Sequence, residues 1–201
     1  MSTYYKHTNQ RLDNKGFTLT EMLIVLGVVV IAAGVAVPNL ITWFNNTSVK
    51  SASRDLYSAM QQTRINAVSE NSSAAIVFDT ANNRYYLCSD AGADGIWDSA
   101  NDLLGVGDNV IDKAVSLTNF ERYQNRVQFG HGNATVAVGA GFDDEVTYVG
   151  PDNVLVISSQ GIPNTSGYVY LENPNTGNSY AVGTLTSGLV RLLRWNGVAW
   201  E

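Results

Sequence analysis

At 201 residues, with 45% hydrophobic and 15% charged side chains, the chain is long enough for one globular domain with its own core plus an appendage. Its formal net charge of −6 repels polyanions at long range and disfavours nucleic acid as a partner, unless a local basic patch overrides it. The single cysteine, Cys88, excludes an intrachain disulfide and reads as a small buried hydrophobe. The two histidines, His7 and His131, belong to no HExxH or CxxC pairing, which leaves little for an enzyme to work with.

Residues 1–15 are polar, with Lys6, Arg11 and Lys15 as a basic flank. Gly16-Phe17-Thr18-Leu19-Thr20-Glu21 follows, then an apolar run over 22–37 that no charge interrupts and that Pro38 closes. With 17–20 included the stretch reaches ~20 residues, enough to cross ~30 Å of hydrocarbon as a helix. The positive flank stays cytoplasmic, so the bulk of the chain is exported. A secretory signal would instead be cut after the apolar core, at a poor site within 33–38. A plain membrane anchor is the other rival. Neither accounts for Glu21 at the edge of the apolar run, where a carboxylate without a partner is costly.

Gly16-Phe17-Thr18-Leu19-Thr20-Glu21 resembles the cleavage and methylation motif of type IV pilins and type II secretion pseudopilins. The resemblance implies cleavage between Gly16 and Phe17 by a prepilin peptidase, and N-methylation at Phe17. It also implies an assembly role for Glu21, paired with the N-terminal amine of a neighbouring subunit. Two opposite charges moved together into an apolar filament stabilise each other, whereas either alone is costly. Residues 1–16 are then a leader, 17–47 a transmembrane and filament-core helix, and 48–201 a periplasmic or extracellular globular domain. The chain would sit first in the bacterial inner membrane as a single-pass protein, then in a periplasmic or cell-surface filament among other pilin subunits. Loss of the leader removes Lys6, Arg11, Lys15 and Asp13, taking the net charge from −6 to −8.

A second amphipathic pattern covers 48–69, with Ala52, Leu56, Met60, Thr63, Ala67 and Val68 at helical spacing. The two stretches predict one long helix from Phe17 to about residue 70, kinked or locally melted near Gly34 and Pro38 because proline removes a backbone donor and crowds the preceding turn. From residue 73 the pattern turns to short strands. A hairpin is expected from 74–78 and 84–88 around Thr80-Ala81-Asn82-Asn83. Further strands are expected at 110–116, 126–129, 135–138, 145–149, 154–158, 167–172, 179–185 and 189–195, with turns at 161–164 and 173–177. A long helix followed only by strands predicts an α+β fold with the helix packed on antiparallel sheet.

Tyr86-Leu87-Cys88-Ser89 with the Asp/Gly-rich stretch to Asp112 resembles the GspH/FimT type of minor pseudopilin. So does the ending, from Ser158-Ser159-Gln160-Gly161 through Gly167-Tyr168-Val169-Tyr170-Leu171 to Gly188-Leu189-Val190-Arg191. That branch implies a long helix with two antiparallel sheets, in a minor filament component. A type IV pilus, a type II secretion pseudopilus and a DNA-uptake pilus all fit.

Some FimT-like members bind DNA during natural transformation through an arginine-rich C-terminal motif. Here Arg191 and Arg194 lie near Trp195 and Trp200, a set suited to phosphate contact and base stacking. The other reading is a terminal strand with solvated arginines and packed tryptophans, and Leu189 stands where an arginine would commonly follow the glycine. In the acidic loop, Asp90, Asp94, Asp98 and Asp102 recur around glycines, a set of hard oxygen ligands of the kind Ca²⁺ prefers. Asn101 occupies the position of an EF-hand's bidentate glutamate, so an exposed loop held by Asx-turns is the alternative. No other cofactor is expected. Ser158, Ser159 and the aspartates lack a histidine base near a nucleophile motif, so a tethered exported enzyme has no legible site.

Overall fold

The computed structural model describes residues 17–93, 95–97, 109–139, 141–142, 144–148 and 153–201. The chain divides into two compact units, 1–41 and 42–201. One helix, α1 (Leu19–Ser69), contributes to both and is helical through Gly34 and Pro38. In the first unit it carries a 19-residue apolar stretch, Leu19–Val37, none of which is buried. Among the described residues no packing partner within the unit explains that composition.

In the second unit α1 is amphipathic and one face is covered. Val49, Ala52, Leu56, Met60 and Ala67 are fully buried, recurring every three or four residues as one stripe of a 3.6-residue helix. Ser53 and Thr63 share that stripe and satisfy their hydroxyls by donating to the carbonyls of Val49 and Ala59, at 2.8 and 3.0 Å. Val68, expected on the same stripe, is half-exposed. Ala67 already takes the buried position, and a neighbour one residue on points about 100° away.

The strands form two four-stranded antiparallel sheets. The first has the order β3-β2-β1-β5, from β1 (Ala74–Asp79), β2 (Arg84–Asp90), β3 (Val110–Ser116) and β5 (Val154–Ile157). The second has the order β4-β6-β7-β8, from β4 (Gln128–Phe129), β6 (Gly167–Glu172), β7 (Ser179–Thr184) and β8 (Val190–Arg194). A short helix, α2 (Phe120–Tyr123), stands between β3 and β4. This is the expected α+β fold with a helix and two sheets.

One core gathers the α1 stripe, Ile76 and Phe78 of β1, and Val169, Leu171, Val182 and Val190 of the second sheet. Alternation along the strands sends the intervening residues to the opposite faces. Val77 and Cys88 pack there with Tyr86, Trp97 and Val154, and Tyr168, Tyr170, Ala181 and Leu193 pack with Ala137, Phe142 and Trp200. β1 and β6 are therefore buried on both faces, and Cys88 is the core residue its type suggested. Burial pushes its thiol pKa up to about 12, so it stays a neutral thiol.

The β1–β2 hairpin forms where expected. Asp79 closes it by accepting from the Asn82 amide N–H at 3.0 Å, and Asn83 takes the left-handed conformation (φ 51°). Two expected strands are not made. Over 135–138 the chain crosses the second sheet's outer face, and the Val138 N–H donates to the Tyr170 hydroxyl at 2.9 Å instead of to a ladder. Within 145–148 only a bridge forms, Val146 opposite Val169. The reason is competition for one edge, since β4 already pairs with Leu171 and Glu172 of β6.

Glycine fits the loops to α1. Gly161 and Gly188 both take positive φ (74° and 79°), and a Cβ on Gly188 would approach the Gly161 carbonyl oxygen to 2.8 Å. Arg64 fastens this corner by donating to the Gly188 carbonyl at 3.1 Å.

Candidate functional site

Glu21 is the one charged side chain between Lys15 and Lys50, and it stands in the first turn of α1. Thr18 and Glu21 bond reciprocally. The Glu21 N–H donates to Thr18 Oγ1 at 3.2 Å, while the Thr18 N–H and hydroxyl both donate to Glu21 Oε2 at 3.1 Å. This is a capping box, which satisfies helix-end donors that would otherwise be orphaned in an apolar setting. The helix dipole favours a carboxylate at this end as well.

The box also aims the carboxylate. Its Oε2 accepts from the first peptide nitrogen after Phe17, so the negative charge is held one residue from Phe17. Phe17 itself is non-helical and exposed. Gly16 and the rest of the leader lie outside the described residues. The Thr-x-x-Glu spacing before an apolar run, here Thr18 to Glu21, is a sequence signature of this cap.

The acidic loop is only partly described. Asp90 ends β2 and its Oδ1 accepts from the Gly92 N–H at 2.8 Å, an Asx-turn. Asp112 accepts from the Ser89 hydroxyl at 2.9 Å across the strand pair. Asp94, Asp98 and Asp102 lie outside the described residues. Among the described residues no group of three or more histidines, cysteines or carboxylates is placed to hold a metal.

Arg191 and Arg194 are both exposed on β8 but not on the same face. Val190 and Leu192 point to the helix-side core, and Arg194 shares their parity; Leu193 packs in the outer core, and Arg191 shares its side. The tryptophans pack instead of standing free. Trp195 is buried, Trp200 lies 5.4 Å from both the Trp195 and Tyr170 rings, and Trp200 Nε1 donates to the Val136 carbonyl at 2.6 Å. The arginine and tryptophan set is thus not one concerted surface.

One polar node escaped the sequence reading. Asn119 caps α2 by accepting from the Arg122 N–H at 3.0 Å, which presents Arg122 and Tyr123 to α1. There Arg122 grips Asp55 with two bonds of 2.9 Å, and the Tyr123 hydroxyl donates to the same carboxylate at 2.8 Å. Partial burial works to raise the Asp55 pKa, but the Arg122 and Tyr123 hydrogen bonds and the Arg122 charge outweigh it and hold the carboxyl below its ordinary value. The partners are more than sixty residues apart, so nothing local announces the pair.

Residues 11–37 match a family model described as the prokaryotic N-terminal methylation motif. Residues 52–188 match the model of the type II transport protein GspH. Two solved structures of the minor pseudopilin EpsH, from the type 2 secretion system of Vibrio cholerae, are similar. One is 14% identical, covers 73% of this chain and 97% of its own, and has a TM-score of 0.49. The other is 17% identical, covers 77% and 96%, and has a TM-score of 0.43. No curated protein matches the sequence. The family is structural and not enzymatic, in keeping with the sparse chemical inventory. With the GspH match spanning most of its length and the methylation motif at its start, the chain belongs to the GspH family of type II transport proteins.

Proposed function

We propose that this chain is a minor pseudopilin, cut by a prepilin peptidase between Gly16 and Phe17, methylated at Phe17, and assembled with other subunits into a type II secretion pseudopilus. Before assembly the apolar half of α1 anchors it in the inner membrane, with the 42–201 unit on the far side of the bilayer from the leader. The observation that carries this reading is the uncovered Leu19–Val37 stretch with Glu21 as its one charge. Apolar helix surface of that extent is stable in lipid or against neighbouring helices, not in water.

Glu21 then has two successive partners. In the free subunit it caps its own helix. In the filament it pairs with the terminal amine of an adjacent subunit, so that neither charge enters the apolar core alone. Glu21→Ala should be processed and methylated normally, because Gly16 and Phe17 are intact. Its incorporation into filaments should fall tenfold or more, since an unpaired buried amine costs on the order of 3 kcal/mol. Recovered sheared filaments, quantified against processed membrane-bound subunit, measure this. Incorporation equal to that of the native chain would refute the pairing.

A further inference from the structure

Charge is distributed unevenly over the second unit. The processed chain would be strongly acidic, yet one cleft of about 270 Å³ is cationic, formed by Trp43, Asn46, Lys50, Asn178, Tyr180 and Arg194. Among the described residues no carboxylate lines it and no ion pair engages Lys50 or Arg194. Both side chains are exposed at its mouth. Its walls are set by the fold. Tyr180 and Arg194 are cross-strand neighbours on β7 and β8, and the Asn178 side-chain amide donates to Asn46, tying the start of β7 to α1.

The cleft's place in the chain limits what it can meet. Trp43 stands six residues beyond Val37, the end of the apolar stretch. Six residues span at most about 20 Å in any conformation, so the cleft stays within reach of lipid headgroups whenever that stretch is in a bilayer. An exposed tryptophan and a half-buried tyrosine beside lysine and arginine, just past an apolar span, match the side-chain pattern of a membrane–water interface.

We propose that this cleft binds the phosphate of an anionic phospholipid while the chain is membrane-anchored. Lys50 and Arg194 contact the phosphate oxygens, and Trp43 packs against the glycerol region. The proposal rests on the membrane-anchored precursor inferred above. It gives an acidic domain, which an anionic bilayer repels, a local attractive point that orients it before assembly. Extraction of the subunit into the filament exchanges that lipid for protein neighbours.

The test uses the full chain in nanodiscs of equimolar phosphatidylglycerol and phosphatidylcholine, followed by mild detergent extraction and quantification of the retained lipids. Phosphatidylglycerol should be enriched. Lys50→Gln or Arg194→Gln should each reduce the enrichment roughly five-fold and the double variant roughly twenty-five-fold, the scale of one basic residue at an anionic surface, while Lys50→Arg retains it. Equal retention by the native chain and the double variant, at unchanged melting temperature, would overturn the cleft. Displacement of the lipid by millimolar inorganic phosphate would make it a free-anion site and overturn the lipid assignment; persistence of the lipid supports it. Insertion without lipid preference sinks the cleft alone, whereas failure to enter any disc removes the membrane-anchored reading and the cleft with it.

Discussion

The two halves of α1 are one helix by backbone and two different objects by side chain. Beyond Glu21 the Leu19–Val37 stretch is apolar on every side and, among the described residues, uncovered, whereas the stretch from Val49 to Ala67 is apolar on one stripe and covered there by the domain core. Away from the helix ends and the donor missing at Pro38, the backbone bonds of a helix are made within it whatever surrounds it, so they do not distinguish the two halves. The surroundings do. An all-round apolar helix states a need for lipid or other subunits, and a one-sided stripe states a need for a sheet.

Truncation should separate the halves most sharply. Leu56→Ala removes a fully buried side chain at the centre of the core and should destabilise the domain by about 2–5 kcal/mol in denaturant titration. Val25→Ala, on the uncovered stretch, should leave that transition within about 0.5 kcal/mol of native. A domain destabilised equally by both would show that the halves are one cooperative unit.

A smaller effect belongs to the Asp55, Arg122 and Tyr123 node, which fastens α2 to the covered half. The ion pair is partly exposed, so solvent screening limits Arg122→Ala or Asp55→Asn to about 0.5–1 kcal/mol. Its pH dependence has a definite sign. The Asp55 pKa is depressed below the ordinary 3.8, so the contribution is full above about pH 4 and fades as pH falls through the lowered value. Asp55→Asn should therefore narrow the stability gap to native as the solution is acidified below pH 4.

Calcium should do least. Asp90 is already engaged in an Asx-turn, and millimolar Ca²⁺ should leave the domain's melting midpoint unchanged. A rise that Asp94→Asn and Asp98→Asn abolish would assign the loop a metal after all.

Much of the chain was legible because its signals are local. Gly16 to Glu21, the unbroken run behind them and the periodicity over Ala52 to Ala67 each announce themselves within a few turns of helix. Most strands did likewise, through short β-branched and aromatic runs between turn residues. The departures came where local preference met competition. Residues 135–138 look like a strand, but the Val138 N–H found the Tyr170 hydroxyl, and 145–148 reached an edge that β4 had partly taken.

Sequence by itself thus determined the membrane-length helix, the lone carboxylate at its start and the α+β class, because period and charge act over distances the chain fixes covalently. Tertiary structure alone decided which side chains meet. It set Arg191 and Arg194 on opposite faces of β8, joined Asp55 to Arg122, and gathered Trp43, Lys50 and Arg194 around one cleft. Such meetings depend on strand register and on which edges remain open, and these are settled only when the whole core has packed.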